Sequence, residues 1–265
     1  KRQDLTGVAW DSPRAATAIT PRHVVMAAHF PRKPGDTLVF HDHAGTRHAR
    51  TLVRNLSLRA KPAETDITMG LLDRPLPDSI KTYPLLSPSL NHADLLAGGP
   101  ILVTNRKKRL LDRDIGVINT KLLRFAYRAG EPASAQTPLV RGDSGNPSFV
   151  LFKNGLVLAE THSLGSAGCG PFYSKPSIFE GLTRAVRELD PNYRIQTVQV
   201  DAEYRQLAAR RRVGREIYNR KNTDGSLKTP SSPRSDSPSS AGNSPAKPTS
   251  KETTLPLVRR IPAKR

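Results

Sequence analysis

Up to residue 195 the apolar positions come in short runs, most of them cut off by Gly, Pro, Asn or Asp. They span Ala15 to Ile19, His23 to Met26, Thr37 to Phe40, Thr51 to Val53, Ile67 to Leu72, Pro100 to Thr104, Asp114 to Ile118, Lys121 to Tyr127, Pro147 to Phe152 and Leu156 to Thr161. Short β-branched or aliphatic runs with closely spaced turn signals predict many strands in an all-β barrel or sandwich, not alternating β and α units. Leu182 to Leu189 is a candidate helix that stops at the turn residues Asp190 and Pro191. From Asp201 to Lys221 good helix formers follow a plausible N-cap, with Tyr204, Leu207, Ala208, Ile217 and Tyr218 roughly on one face and Arg211 and Gly214 interrupting it. No internal repeat of fixed period is visible.

Beyond residue 222 the pattern disappears. Residues 223–265 are dominated by Ser, Pro, Thr and Lys, with Leu227 the only large apolar residue before Leu255. Such a segment buries too little surface to offset the entropy of ordering its backbone, so it is expected to be disordered. The chain therefore divides into a domain over 1–200, a basic helical segment over 201–222 and a disordered tail over 223–265.

Charge sharpens that division. The chain has 42 Lys and Arg against 23 Asp and Glu, a net of 42 − 23 = +19. Residues 1–195 hold 27 basic and 17 acidic side chains (+10), and residues 196–265 hold 15 and 6 (+9). The basic excess is thus concentrated toward the C-terminus. Two runs stand out, Arg106-Lys107-Lys108-Arg109, expected on a hairpin between strands, and Arg210-Arg211-Arg212 in the basic helix. Each can be a solvated charged face or a surface for a polyanion such as acidic lipid, polysaccharide or nucleic acid. Neither run is interleaved with aromatic residues and no base-reading motif is present, which argues against sequence-specific nucleic-acid recognition.

The single cysteine, Cys169, cannot form an internal disulfide, and thiolate zinc sites are excluded with it. No cofactor or metal is expected. No apolar run approaches the roughly 18 residues of a membrane-spanning helix. The chain opens on Lys1 without a signal pattern and is expected to be a processed product; a leader before Lys1 would favour a secreted or periplasmic location.

Three segments carry chemistry. Arg141-Gly142-Asp143-Ser144-Gly145-Asn146-Pro147 precedes the apolar run Ser148 to Phe152. A serine on a Gly-rich turn offers an exposed hydroxyl and approachable backbone N–H groups, as acyl transfer requires, although a G-D-S-G tetrapeptide alone is equally an ordinary turn. Ile19 to Phe30 ends a strand at Ala27-Ala28-His29, where small residues leave an imidazole standing in a cleft. Asp66 lies at the mouth of the apolar run Ile67 to Leu72.

The order His29, Asp66, Ser144 is that of the chymotrypsin triad, in contrast to subtilisin, whose aspartate precedes its histidine. With Ala27-Ala28-His29, Asp66-Ile67-Thr68-Met69-Gly70-Leu71-Leu72 and Gly142-Asp143-Ser144-Gly145-Asn146-Pro147, residues 5–195 resemble a trypsin-like, chymotrypsin-fold serine protease of a disulfide-free bacterial type. The resemblance implies two antiparallel β-barrels with a short C-terminal helix, followed here by the basic helix and the tail. It also implies a serine endopeptidase in which Ser144 is the nucleophile, His29 the general base and Asp66 the residue that orients it. The N–H groups of Gly142 and Ser144 would form the oxyanion hole, where losing one donor costs about 10²- to 10³-fold in rate. Asp143, which in animal relatives pairs with a new N-terminal amine, is expected to meet another side chain or a backbone donor.

The same resemblance places the substrate pocket between Pro138, Leu139 and Arg141 on one wall and His162, Ser163 and Leu164 on the other. No carboxylate stands at its base, which implies a preference for an apolar or small residue before the scissile bond. His162 or Ser163 is the candidate to hydrogen-bond Asp66 or the substrate backbone. Asn146 replaces the second glycine usual after the nucleophile, Met26 stands where a small hydroxyl residue is common, and Phe30 stands where disulfide-bearing relatives have Cys. The competing reading is a trypsin-like domain without turnover that binds polyanions through its basic tail.

Overall fold

The computed structural model describes residues 3–58, 65–119 and 122–225. A six-stranded sheet comes first: β1 (Val8–Ala9), β2 (Ala16–Ala18), β3 (His23–Ala27), β4 (Thr37–His41), β5 (Arg47–Ser57) and β6 (Ile67–Leu72), in the order β1-β2-β3-β6-β5-β4. All of its pairings are antiparallel. β3 and β6 are buried along their whole length, so they read as continuous apolar runs without alternation. Gly70 in β6 permits that packing, because a Cβ there would lie 2.6 Å from a methyl carbon of Leu52.

The second sheet holds β7 (Leu85–Leu86), β8 (Pro100–Thr104), β9 (Leu110–Ile118), β10 (Leu122–Ala126), β11 (Pro147–Phe152), β12 (Gly155–Thr161), β13 (Cys169–Pro171) and β14 (Thr197–Val198). Its order is β13-β10-β9-β8-β11-β12-β7-β14. Here the expected pair of antiparallel barrels fails. This sheet is open, with β13 and β14 as its ends, and its pairing is mixed: β7 lies parallel to both β12 and β14. Parallel neighbours need crossover connections, and long stretches of chain separate β7 from β12 and from β14. The architecture is one antiparallel sheet and one open mixed sheet.

Helix α1 (His92–Leu96) precedes β8. Helix α2 (Pro176–Leu189) starts on a proline, whose missing N–H costs nothing in a first turn, and buries Ile178, Leu182, Ala185, Val186 and Leu189. These side chains meet Val25, Ile67, Leu85, Phe149 and Leu158 in a core that both sheets share. Two further clusters lie within the first sheet, around Met26, Phe40 and Leu52, and on the second sheet, around Ile101, Val150 and Phe172.

Helix α3 (Ala202–Gly225) begins where the Asp201 carboxylate accepts the Tyr204 N–H at 2.6 Å, a normal N-cap contact. Tyr204 and Ala208 are buried in the second-sheet core, whereas Ile217 and Tyr218 of the expected apolar face are exposed. A second attachment is polar. Asp114 of β9, 4% exposed, accepts from Arg211 at 2.9 Å and Arg215 at 2.6 Å. Among the described residues no helix is long and apolar enough to cross a membrane. Contrary to expectation the helix continues through residues 223–225, the first three of the segment read as a disordered tail; the rest, from 226 onward, lies outside the described residues.

Candidate functional site

Strand register brings the first two residues together. In the β3–β6 pair Ala27 lies opposite Ile67, and the Ala28 N–H donates to the Asp66 carbonyl at 3.2 Å. The residue leaving β3 and the residue entering β6 are therefore neighbours in space. The His29 N–H donates to Asp66 Oδ1 at 2.8 Å, and His29 Nδ1 stands 2.6 Å from Asp66 Oδ2. Nδ1 faces a carboxylate and so carries the ring proton. That leaves Nε2 as an acceptor, 2.8 Å from Ser144 Oγ.

The second sheet supplies the serine by the same device. Ser144 lies in the turn that enters β11, and Gly142 and Gly145 flank it with φ of +94° and +83°, backbone that glycine adopts without strain. The Gly145 N–H donates to the His162 carbonyl at 2.9 Å, and the His162 N–H to the Asn146 carbonyl at 3.0 Å, so the turn is tied to the end of β12. Asp143, 3% exposed, holds the turn from within. It accepts from the backbone N–H of Val140 at 2.7 Å and of Arg106 at 2.9 Å, so backbone donors fill the partner role left open by the sequence. Asn146 accepts from Trp10 Nε1 at 2.7 Å and donates to the Asp143 carbonyl at 3.0 Å. Among the described residues the Gly142 and Ser144 N–H groups have no intramolecular acceptor.

Ser163 and His162 separate cleanly. Ser163 Oγ donates to Asp66 Oδ2 at 2.7 Å and so reaches across from one sheet to the other. His162 is 1% exposed and points away from the cleft; Nδ1 meets Glu160 Oε1 at 2.8 Å and Nε2 meets the Thr104 carbonyl at 2.7 Å. Burial alone would lower its pKa, but the charge and hydrogen bond of Glu160, the Thr104 carbonyl and the charge of Asp143 outweigh it and the net shift is upward. Both ring nitrogens face acceptors, which suits an imidazolium. Glu160 is a residue the sequence reading missed. It lies on β12 two places before His162, which stands just beyond the strand's end, and that spacing, which in extended backbone puts both side chains on one face, was the available signal.

The two walls of the expected slot lie close together. Leu139 and Ser166 exchange backbone hydrogen bonds at 2.8 and 3.1 Å, which brings the two walls together. A Cβ on Gly165 would lie 2.8 Å from the Leu139 carbonyl oxygen. Leu139 is buried, while Pro138, Arg141 and Leu164 are exposed, so Leu139 and not Pro138 lies deepest. Behind Ser163 the Cys169 carbonyl accepts from the N–H of both Ser163 and Leu164, and burial pushes the Cys169 thiol pKa up. Met26 is buried in the first-sheet core, and its sulfur lies 3.4 Å from the Arg32 N–H. No protein-family model matches the chain, and no curated protein matches it closely enough to count as a relative.

Proposed function

We propose that the protein is a serine endopeptidase that cleaves peptide bonds through an acyl-enzyme, as a trypsin-like arrangement of residues carried on this mixed-sheet fold. One observation carries the reading: the unbroken series Ser144 Oγ, His29, Asp66 with 2.8 and 2.6 Å separations. His29 Nε2 takes the Ser144 proton as Oγ bonds to the substrate carbonyl carbon, and the carbonyl π electrons move to oxygen. Asp66, held by Ser163, keeps the imidazole in the required tautomer and balances its charge. The oxyanion faces the uncommitted N–H groups of Gly142 and Ser144. It collapses as His29 returns the proton to the leaving amine, and water then repeats the sequence on the acyl ester.

A slot based on the buried Leu139, with no carboxylate at its floor, favours a small or apolar residue before the scissile bond. A fluorophosphonate probe is expected to label the intact protein at Ser144 and to leave Ser144→Ala unlabelled; an unlabelled wild type overturns the reading. Strict cleavage after Arg or Lys in a peptide library would refute the slot while leaving the nucleophile standing. Attachment of the basic helix to polyanions is weakened as a reading, because Arg211 and Arg215 are engaged by Asp114.

A further inference from the structure

β8 and β9 are joined by a turn that the Asn105 side chain organises. Its Oδ1 accepts the N–H groups of Lys107 and Arg109, each at 3.1 Å, and Lys108 takes a left-handed φ of +58°. The turn displays Arg106, Lys107, Lys108 and Arg109, all exposed, and among the described residues none of the four side chains meets a carboxylate. The turn adjoins the nucleophile. The Arg106 N–H is bound by Asp143, its guanidinium donates to the Arg141 carbonyl at 3.2 Å, and Arg106 Nη1 would lie 3.1 Å from a Cβ on Gly142.

Next to this turn lies a cavity of about 470 Å³, lined among others by Leu5, Val8, Trp10, His43, Lys108 and Leu110. Of its acidic lining residues Asp11 pairs with Arg32 at 2.5 Å and Asp42 hydrogen-bonds with His48 at 3.0 Å, whereas Lys108 meets no carboxylate among the described residues. Trp10 links the cavity to the reacting centre through its bond to Asn146, two residues beyond Ser144. The acyl side of a substrate is committed to the slot between Leu139 and Ser163. The chain that leaves with the amine extends away from that slot, and the turn and the cavity are the surfaces that reach the nucleophile turn, through Asp143 and Gly142 and through Asn146.

We propose that the β8–β9 turn and the Trp10 cavity bind the leaving-group side of the substrate, with a preference for Asp and Glu in its first few residues. The proposal rests on the endopeptidase reading for its direction along the substrate. It follows from charge complementarity: four cations without acidic partners border the nucleophile turn, and an acidic peptide supplies the missing counter-charges. Each exposed pair contributes little, so several together give a bias of about tenfold and not absolute selection.

Trp10 is the only tryptophan in the chain and reports on the cavity directly. Full-length Ser144→Ala is titrated with Ala-Asp-Glu-Asp and with its amide twin Ala-Asn-Gln-Asn while Trp10 fluorescence is followed. The acidic peptide is expected to bind roughly tenfold more tightly in dilute buffer, and the advantage should shrink at roughly 0.5 M salt. It should disappear in the background of Arg106→Gln with Lys108→Gln. Equal binding of the two peptides, or an advantage that survives the double substitution, overturns the proposal. So does binding of heparin to the turn with no Trp10 response to either peptide. Labelling of Ser144 in the wild type is scored separately. Labelling with no peptide discrimination removes this surface alone, and discrimination without labelling removes the endopeptidase reading while the acidic-peptide surface stands.

Discussion

The two sheets build their halves of the site in the same way, and each buries a further histidine in a different electrostatic setting. In the first, adjacent antiparallel strands β3 and β6 deliver His29 and Asp66 from neighbouring ends; in the second, β11 and β12 deliver Ser144 and Ser163. Each sheet also buries one histidine that takes no part in the Ser144–His29–Asp66 series. His23 in β3 has a Thr20 hydroxyl for a partner and is held neutral, with burial pushing its pKa down to about 4. His162 beyond β12 has Glu160 and a carbonyl for partners, and its pKa is raised. The lesson is that burial pushes both imidazoles toward the neutral form, and the acceptors that face the ring nitrogens decide whether that push prevails, as in His23, or is outweighed, as in His162.

The sharpest way to break the symmetry of the two halves is to remove one reacting group at a time. His29→Ala and Ser144→Ala are each expected to lower peptide hydrolysis by about 10⁴-fold or more, and combining them should add little, because residues that act as a unit are not additive. Full additivity in steady-state rates would show that the two sheets do not cooperate in one reaction.

Asp143→Ala should come next. It leaves two part-buried backbone donors without an acceptor and is expected to cost about 1 to 3 kcal/mol of stability in a denaturant melt, with loss of probe labelling. An unchanged midpoint would show that the nucleophile turn does not depend on that carboxylate.

The two buried histidines predict opposite pH trends. For His23 the folded pKa lies below the ordinary 6.5. The unfolded chain takes up the proton first, so this contribution is fully present above about pH 6.5 and is lost as pH falls toward 4, by up to about 3 kcal/mol. For His162 the folded pKa lies above 6.5, so its contribution is fully present below that pH and is lost as pH rises through the folded value. Thermal melts across the pH range should flatten on the acid side in His23→Gln and on the alkaline side in His162→Gln. Flattening on the wrong side would reverse the charge assignment.

The smallest effect is expected from Ser163→Ala, roughly a tenfold loss in kcat/KM with little change in melting temperature, because Asp66 keeps its contacts with His29. A loss as large as that of His29→Ala would make Ser163 a reacting group and not a positioning residue.

Much of this arrangement was legible in the sequence because it is local. β6, β8 and β11 coincide with the apolar runs that predict them, and His29, Asp66 and Ser144 stand where strands begin or end. The second-sheet topology was not legible. β7 and β14 have two residues each, too few to show any periodicity, and their parallel pairing depends on long connections. Asp114 offered no signal either. Its partners Arg211 and Arg215 lie about a hundred positions away, and the arginines read equally well as a solvated face. The choice between His162 and Ser163 needed the backbone, since adjacent residues in extended chain point to opposite sides, and the two lie just beyond β12.

The bond from Ser163 to Asp66 also sets an order of events in time. Its two ends are separated by 97 positions, and Ser144 and His29 by 115, so the site comes together only after both sheets are in place. If the proposed endopeptidase activity holds, a chain still emerging from synthesis has His29 and Asp66 long before it has Ser144, and it cannot cleave its own unfolded segments until its second sheet is built.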